Sequence, residues 1–110
     1  MSDPVILLTG ANGFLGTWVA RELVARPDCI IVALVRGCDQ ATAEQRLRRA
    51  WWDWRELEQA IGSRVQVLCG DVSRPHLGLS DAEYAALVRR ITHIIHTAAE
   101  LRIDAPIAEL

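Results

Sequence analysis

Thr9-Gly10-Ala11-Asn12-Gly13-Phe14-Leu15-Gly16 is the stretch that decides the fold. Four apolar residues, Val5-Ile6-Leu7-Leu8, run into it, and such a β-branched and leucine run ended by glycine predicts a short strand buried on both faces. Behind it, Leu15, Trp18, Val19, Leu23 and Val24 recur at steps of three and four, which predicts a helix over 14–25 that ends before Pro27. The three glycines therefore sit between a strand and a helix. Gly10 permits the sharp turn out of the strand, Gly13 leaves no Cβ where a pyrophosphate would approach the backbone, and Gly16 lets the helix lie against the sheet. The free amides and partial positive charge of the helix N-terminus then face those phosphates. Thr9, Gly10, Asn12, Gly13, Phe14, Leu15 and Gly16 are candidate cofactor-binding residues on this reading.

The rest of the chain repeats the alternation. Residues 29–35 and 65–69 are further apolar runs, each with a glycine close behind, and 91–97 supply a fourth. Thr42 and Gln45 suit a capping box for a helix running to about residue 61, with Leu47, Trp51, Trp54 and Ile61 on one face and Gly62 as its stop. Ser80 and Glu83 repeat the box ahead of a helix through Arg90. The order βαβαβαβ implies an α/β fold, a Rossmann-type doubly wound parallel sheet of strand order 3-2-1-4. That order leaves 93–97 at an edge although the run is as apolar as a central strand. Further strands are therefore expected after Leu110, with Asp104-Ala105-Pro106 opening another helix. Residues 1–110 read as the N-terminal portion of a dinucleotide-binding domain.

Composition narrows the chemistry. All 12 basic residues are arginine, so the chain contains no lysine and carries neither a lysine P-loop nor a Schiff-base centre. A net charge of -2 provides no global field for nucleic acid or anionic lipid, so any anion site must be local. The apolar runs fall far short of the roughly 20 residues of a bilayer span. The acidic start, Met-Ser-Asp-Pro, does not open a signal peptide, and a cytoplasmic chain is expected. Cys29, Cys38 and Cys69 form no CxxC pair and read as small apolar fillers near strand ends.

Beyond the glycine turn, candidates gather at the predicted carboxyl edge of the sheet. Arg36, at the end of the second strand, stands where an acid would hold a bare ribose 2′-hydroxyl. Its guanidinium fork suits a 2′-phosphate instead, which favours NADP over NAD. The blander reading of Arg36 is a solvated strand cap. Asp71 follows the third strand at the same edge, as an adenine contact or a turn aspartate. Small residues after His96, namely Thr97, Ala98 and Ala99, leave room for a ligand to cross. His93 and His96 differ by an odd number on a strand, cannot share a metal, and read as packing residues. The tryptophans among four arginines at 42–60 are balanced by four acids, which argues against nucleic acid. Trp51 and Trp54 read as core, Trp52 as partly exposed.

Together TGANGFLG (9–16), LVRG (34–37), QRL (45–47), GDVSRPHLGLS (70–80) and IIHTAAEL (94–101) resemble the extended short-chain dehydrogenase/reductases. Within that family they are most similar to the thioester-reductase branch of nonribosomal peptide synthetases and carboxylic acid reductases, with fatty acyl-CoA reductases as near relatives. The resemblance implies that Gly10, Asn12, Gly13, Phe14 and Leu15 wrap the pyrophosphate, and that Arg36 and Arg46 hold the 2′-phosphate. It implies that Asp71 and Val72 flank adenine and that Ala98 and Ala99 lie beneath the ribose. Thr97 stands where the family often has asparagine, and Glu100-Leu101-Arg102 is less apolar than its usual substrate-side stretch. The family's Tyr-x-x-x-Lys pair is absent, since the one tyrosine, Tyr84, has Val88 four residues on. The expected function is the NADPH-binding half of a reductase of acyl thioesters, carried on a protein or on CoA, to aldehyde or alcohol, with residues 1–110 alone inactive. A nucleotide-sugar epimerase or dehydratase, a hydroxysteroid-type dehydrogenase, and a non-catalytic NADP sensor are the alternatives.

Overall fold

Five consecutive residues of the first strand, Val5–Thr9 (β1), are buried, because strands flank β1 on both sides and helices cover both faces. The computed structural model describes residues 3–97. After β1 come α1 (Phe14–Val24), β2 (Ile30–Val35), α2 (Gln40–Ala50), α3 (Arg55–Ala60), β3 (Val65–Cys69), a tight turn at Pro75–Gly78, α4 (Asp81–Arg90) and β4 (His93–His96). The sheet is wholly parallel with the order β3-β2-β1-β4. Val5 pairs with Ile30 and Thr9 with Leu34 on one side, while Ile6 pairs with His93 and Thr9 with His96 on the other. The Rossmann-type α/β architecture and its strand order are those expected from the sequence.

Alternation along the strands divides the core into two layers. Ile6, Leu8, Ile31, Ala33 and Val35 pack with Ala20 and Leu23 of α1, Ala43 and Leu47 of α2, and Leu57 of α3. Val5, Leu7, Val32 and Leu34 face the other way, onto Leu87 of α4. At the edge, the Gln40 side chain takes the place of a missing neighbour for β3: its Nε2 donates to the Val67 carbonyl at 2.6 Å and its Oε1 accepts from the Cys69 amide at 3.1 Å. Arg64 closes the opposite end, donating to the carbonyls of Val24 (2.9 Å), Cys29 (3.2 Å) and Arg26.

Several expectations are corrected. The single helix over 42–61 is two helices, α2 and α3, separated at Trp51–Trp54, where the Trp54 amide donates to the Trp51 carbonyl at 2.8 Å. Trp51 turns fully inward there, whereas Trp54 lies over the Arg21 guanidinium at 3.7 Å. One straight helix would not place both rings so. The helix starts earlier than Thr42, because Asp39 is its N-cap and accepts from the Thr42 amide at 2.7 Å. Hydrogen bonds from Thr42 hold the Asp39 carboxyl below the usual aspartate range. The box at Ser80 and Glu83 forms as read, with both reciprocal bonds present. β4 is shorter than 91–97 because Ile91 caps α4 and Thr92 bonds instead to the Val5 amide and carbonyl. Both histidines are exposed and neither is a packing residue: His93 bonds to Thr92, and His96 to Thr9. Cys38 is exposed, so the filler reading fails for it, while Cys29 is buried.

Leu47 is fully buried where α2 meets the sheet. Leu47→Ala is expected to lower the unfolding free energy by about 2–5 kcal/mol, read from urea denaturation.

Candidate functional site

The site grows from the way α1 meets β1. Gly10 leaves the strand with φ 66, in the left-handed region, and its carbonyl accepts from the Gly13 amide at 3.0 Å. At Gly16 a Cβ would lie 1.9 Å from the Gly10 carbonyl oxygen, so no side chain fits. Gly13 is the N-cap of α1 and offers no side-chain cap, and the first turn holds no acidic residue. The turn therefore presents helix-end amides and the positive end of the dipole, and among the described residues no side chain caps them. Phe14 and Leu15 are 85% and 60% exposed, which leaves the approach open.

An open cleft of about 880 Å³ lies along this turn. Gly10, Asn12, Gly13, Phe14, Leu15 and Gly16 form one wall, and Arg36, Arg46, Asp71 and Val72 lie on the others, with Thr97 also lining it. Eleven of the fourteen candidates are thus gathered in one concavity. Thr9 is not: it is buried behind the wall, where its Oγ1 accepts from the Thr97 amide at 3.1 Å and is hydrogen-bonded to His96 Nδ1 at 2.7 Å. It ties β1 to β4 and so places Thr97, whose hydroxyl donates to the Thr9 carbonyl at 2.6 Å. Ala98 and Ala99 lie outside the described residues, as does the helix expected at Asp104.

Arg46 donates to the Arg36 carbonyl at 3.0 Å, fixing the backbone at the end of β2. The Arg36 guanidinium stands 3.6 Å from the Asp71 carboxylate, with the arginine side chain 74% exposed. A pair so solvated is weak and leaves Arg36 able to take another anion. Asp71 is held in a tight loop, accepting from the Ser73 amide at 2.9 Å and hydroxyl at 2.7 Å, while its own amide donates to the Leu77 carbonyl at 2.7 Å. That last bond relies on left-handed backbone at His76 (φ 53) and Leu77 (φ 58), an uncommon conformation for such residues. His76 is held there by stacking on Tyr84 at 4.3 Å, with its Nδ1 3.4 Å from the Asp81 carboxylate. The two bonds from Ser73, and then Arg36 and Arg74, hold the Asp71 carboxyl below the usual range against the opposing effect of desolvation.

Ser73, Leu34 and Gly70 also line the cleft and were not singled out from sequence. The Asp-x-Ser spacing was the available signal for Ser73. Among the described residues no group of three or more His, Cys, Asp or Glu is placed to hold a metal ion, and no helix is long and apolar enough to cross a membrane.

A family model described as "Male sterility protein" (NAD_binding_4) matches residues 8–110. The chain belongs to this family. As a Male sterility protein family member it is an NAD(P)-binding domain, and the glycine turn and cleft lie within the matched region. It is 38% identical over 99% of its length to the L-2-aminoadipate reductase large subunit of Penicillium chrysogenum, of which it spans 8%. It is 34% identical over 96% of its length to the glycine betaine reductase ATRR of Emericella nidulans, of which it spans 9%. Among solved structures, the terminal R domain of the myxalamid PKS-NRPS biosynthetic pathway matches all of this chain with a TM-score of 0.86 at 33% identity, over 28% of that domain. The reductase domain of a nonribosomal peptide synthetase from Mycobacterium tuberculosis matches 88% of this chain with a TM-score of 0.78 at 30% identity, over 24% of that chain. UDP-glucuronic acid 4-epimerase from Bacillus cereus, at 22% identity and a TM-score of 0.55, shares the fold alone.

Two measurements check this geometry. Gly16→Ala is expected to cost about 1–3 kcal/mol of stability in urea denaturation, because the clash is with backbone that must move. In an NMR titration the Asp71 carboxyl is expected to have a midpoint below 3.8. With its folded pKa depressed, the order it lends to the 71–77 loop is complete above the ordinary aspartate pKa and is lost as pH falls through the folded value.

Proposed function

We propose that this chain binds NADPH and serves as the dinucleotide-binding part of a reductase that converts acyl thioesters, on a carrier protein or on CoA, to aldehyde or alcohol. The observation that carries the cofactor choice is Arg36, a largely exposed guanidinium on the wall of the cleft with a second arginine, Arg46, beside it. No acid takes its place: the next carboxylate along the chain, Asp39, is committed to capping α2. A ribose 2′-phosphate carries close to two negative charges and three acceptor oxygens, which an arginine fork matches and a 2′-hydroxyl does not.

The residues present fit the cofactor. The cleft of about 880 Å³ lies within the size range of cofactor sites, and the space that a Cβ at Gly13 or Gly16 would fill is the space the close turn requires. Gly10, Asn12, Gly13, Phe14 and Leu15 would hold the pyrophosphate through backbone amides, Arg36 and Arg46 the 2′-phosphate, and Asp71 with Val72 the adenine. Thr97, with Ala98 and Ala99 after it, would border the ribose nearest the nicotinamide. When bound, the nicotinamide supplies hydride. The chain's own residues would bind and orient it. Proton transfer is not assigned to them, since Tyr84 is stacked on His76 and does not line the cleft.

The substrate class is supported by the relatives, whose names include an aminoadipate reductase and terminal reductase domains of peptide synthetases. Arg36→Asp tests the cofactor choice. NADPH affinity, measured by fluorescence titration, is expected to fall by roughly ten- to a hundredfold, as for loss of a charge-assisted hydrogen bond. NADH affinity is expected to stay within about twofold. Equal loss of both would contradict the reading.

A further inference from the structure

Trp51 is the largest fully buried side chain among the described residues, and its one polar atom is used. Its Nε1 donates to the Ala11 carbonyl at 3.1 Å, across 40 residues of sequence and in the buried seam between α1 and the α2–α3 break. Ala11 is itself fully buried. Thr17 Oγ1 approaches the same carbonyl only at 3.5 Å, while it lies 2.7 Å from the Gly13 carbonyl, where its single proton is used. The indole is therefore the good donor to Ala11. A planar trans peptide sets its C=O and the following N–H on opposite sides. Turning the Ala11 carbonyl inward to Trp51 thus turns the Asn12 N–H the other way. Asn12 lines the cleft, and its amide takes part in no backbone hydrogen bond among the described residues.

We propose that Trp51 is a positioning residue for the phosphate-binding turn: the indole N–H anchors the Ala11 carbonyl and so aims the Asn12 amide at the ligand. The role rests on the dinucleotide reading given above. Trp51 is the C-cap of α2, its amide still donating to the Leu47 carbonyl at 3.0 Å, so the ring reaches the turn from the end of that helix. Without the anchor, the Ala11–Asn12 peptide, the middle peptide of the turn closed by the Gly13 amide on the Gly10 carbonyl, loses its inward hold and its amide is less firmly pre-aimed. A pyrophosphate contact is shared by both dinucleotides, so the effect differs in kind from that of Arg36.

Trp51→Phe keeps most of the buried volume and removes the donor. In the full-length protein, amide hydrogen exchange over residues 10–13 without ligand is expected to quicken. NADPH and NADH affinities are expected to fall together by about three- to tenfold. Leu57→Ala, equally buried but without a bond to the turn, is expected to lower stability while leaving both affinities and that exchange unchanged. Unaltered affinity and exchange in Trp51→Phe would overturn the positioning role alone, whereas an unaltered protein that binds neither dinucleotide would overturn the dinucleotide reading and this role with it. Should Trp51→Phe not fold, the 15N-labelled indole of the unaltered protein gives the answer. Its Trp51 N–H is expected to exchange slowly and to shift on saturation with NADPH, and an indole proton that exchanges as fast as that of exposed Trp52, or ignores NADPH, would overturn the proposal.

Discussion

The contact between Gly16 and the Gly10 carbonyl governs the rest of the molecule. With no Cβ able to stand there, the first turn of α1 presses directly on the peptide that leaves β1. The helix axis then starts at the carboxyl end of an inner strand, and its uncapped amides open on the same edge at which β2, β3 and β4 end. Arg36, Asp71 and Thr97 each follow one of those strands, so the parallel sheet brings groups far apart in sequence to the edge on which this close approach opens the helix end.

The electrostatics of that edge are local and divided by task. A chain of net charge -2 attracts no anion as a whole, yet the helix end and two arginines make one positive mouth. Arg46 spends a donor on the Arg36 carbonyl and fixes the strand end, while the Arg36 side chain stays largely in water beside a weakly paired carboxylate. The nearby acids are occupied in building turns: Asp39 caps α2 and Asp71 orders the loop at Ser73. Acidic residues thus shape the frame, and Asp71, which also lines the cleft, pairs only weakly with Arg36.

What the sequence reveals depends on whether the signal is local. The glycine spacing, the apolar strands and the box at Ser80 and Glu83 act within a few residues, and the structure realises each of them. The parallel order follows from the alternation of elements, and most of the candidate site follows from strand ends. Features fixed by distant partners are not legible. Nothing near Trp51 announces that its indole reaches Ala11, and a periodic run reads as one helix where there are two. The left-handed backbone at His76 and Leu77 depends on Tyr84 and Asp81, and the service of Gln40 to the edge of β3 depends on a strand 27 residues away. Thr9 reads as part of the glycine turn because it adjoins it, yet its hydroxyl bonds across to His96 and Thr97 instead.

The central claim is that the amino end of α1 is the seat of a dinucleotide's phosphates. Backbone amide shifts recorded by NMR during addition of NADP to the 15N-labelled protein test it most directly. Saturable changes are expected, largest at Asn12, Gly13, Phe14 and Leu15, with smaller ones at Arg36 and Asp71. Saturable binding that leaves residues 10–16 unmoved while shifting another surface would contradict it.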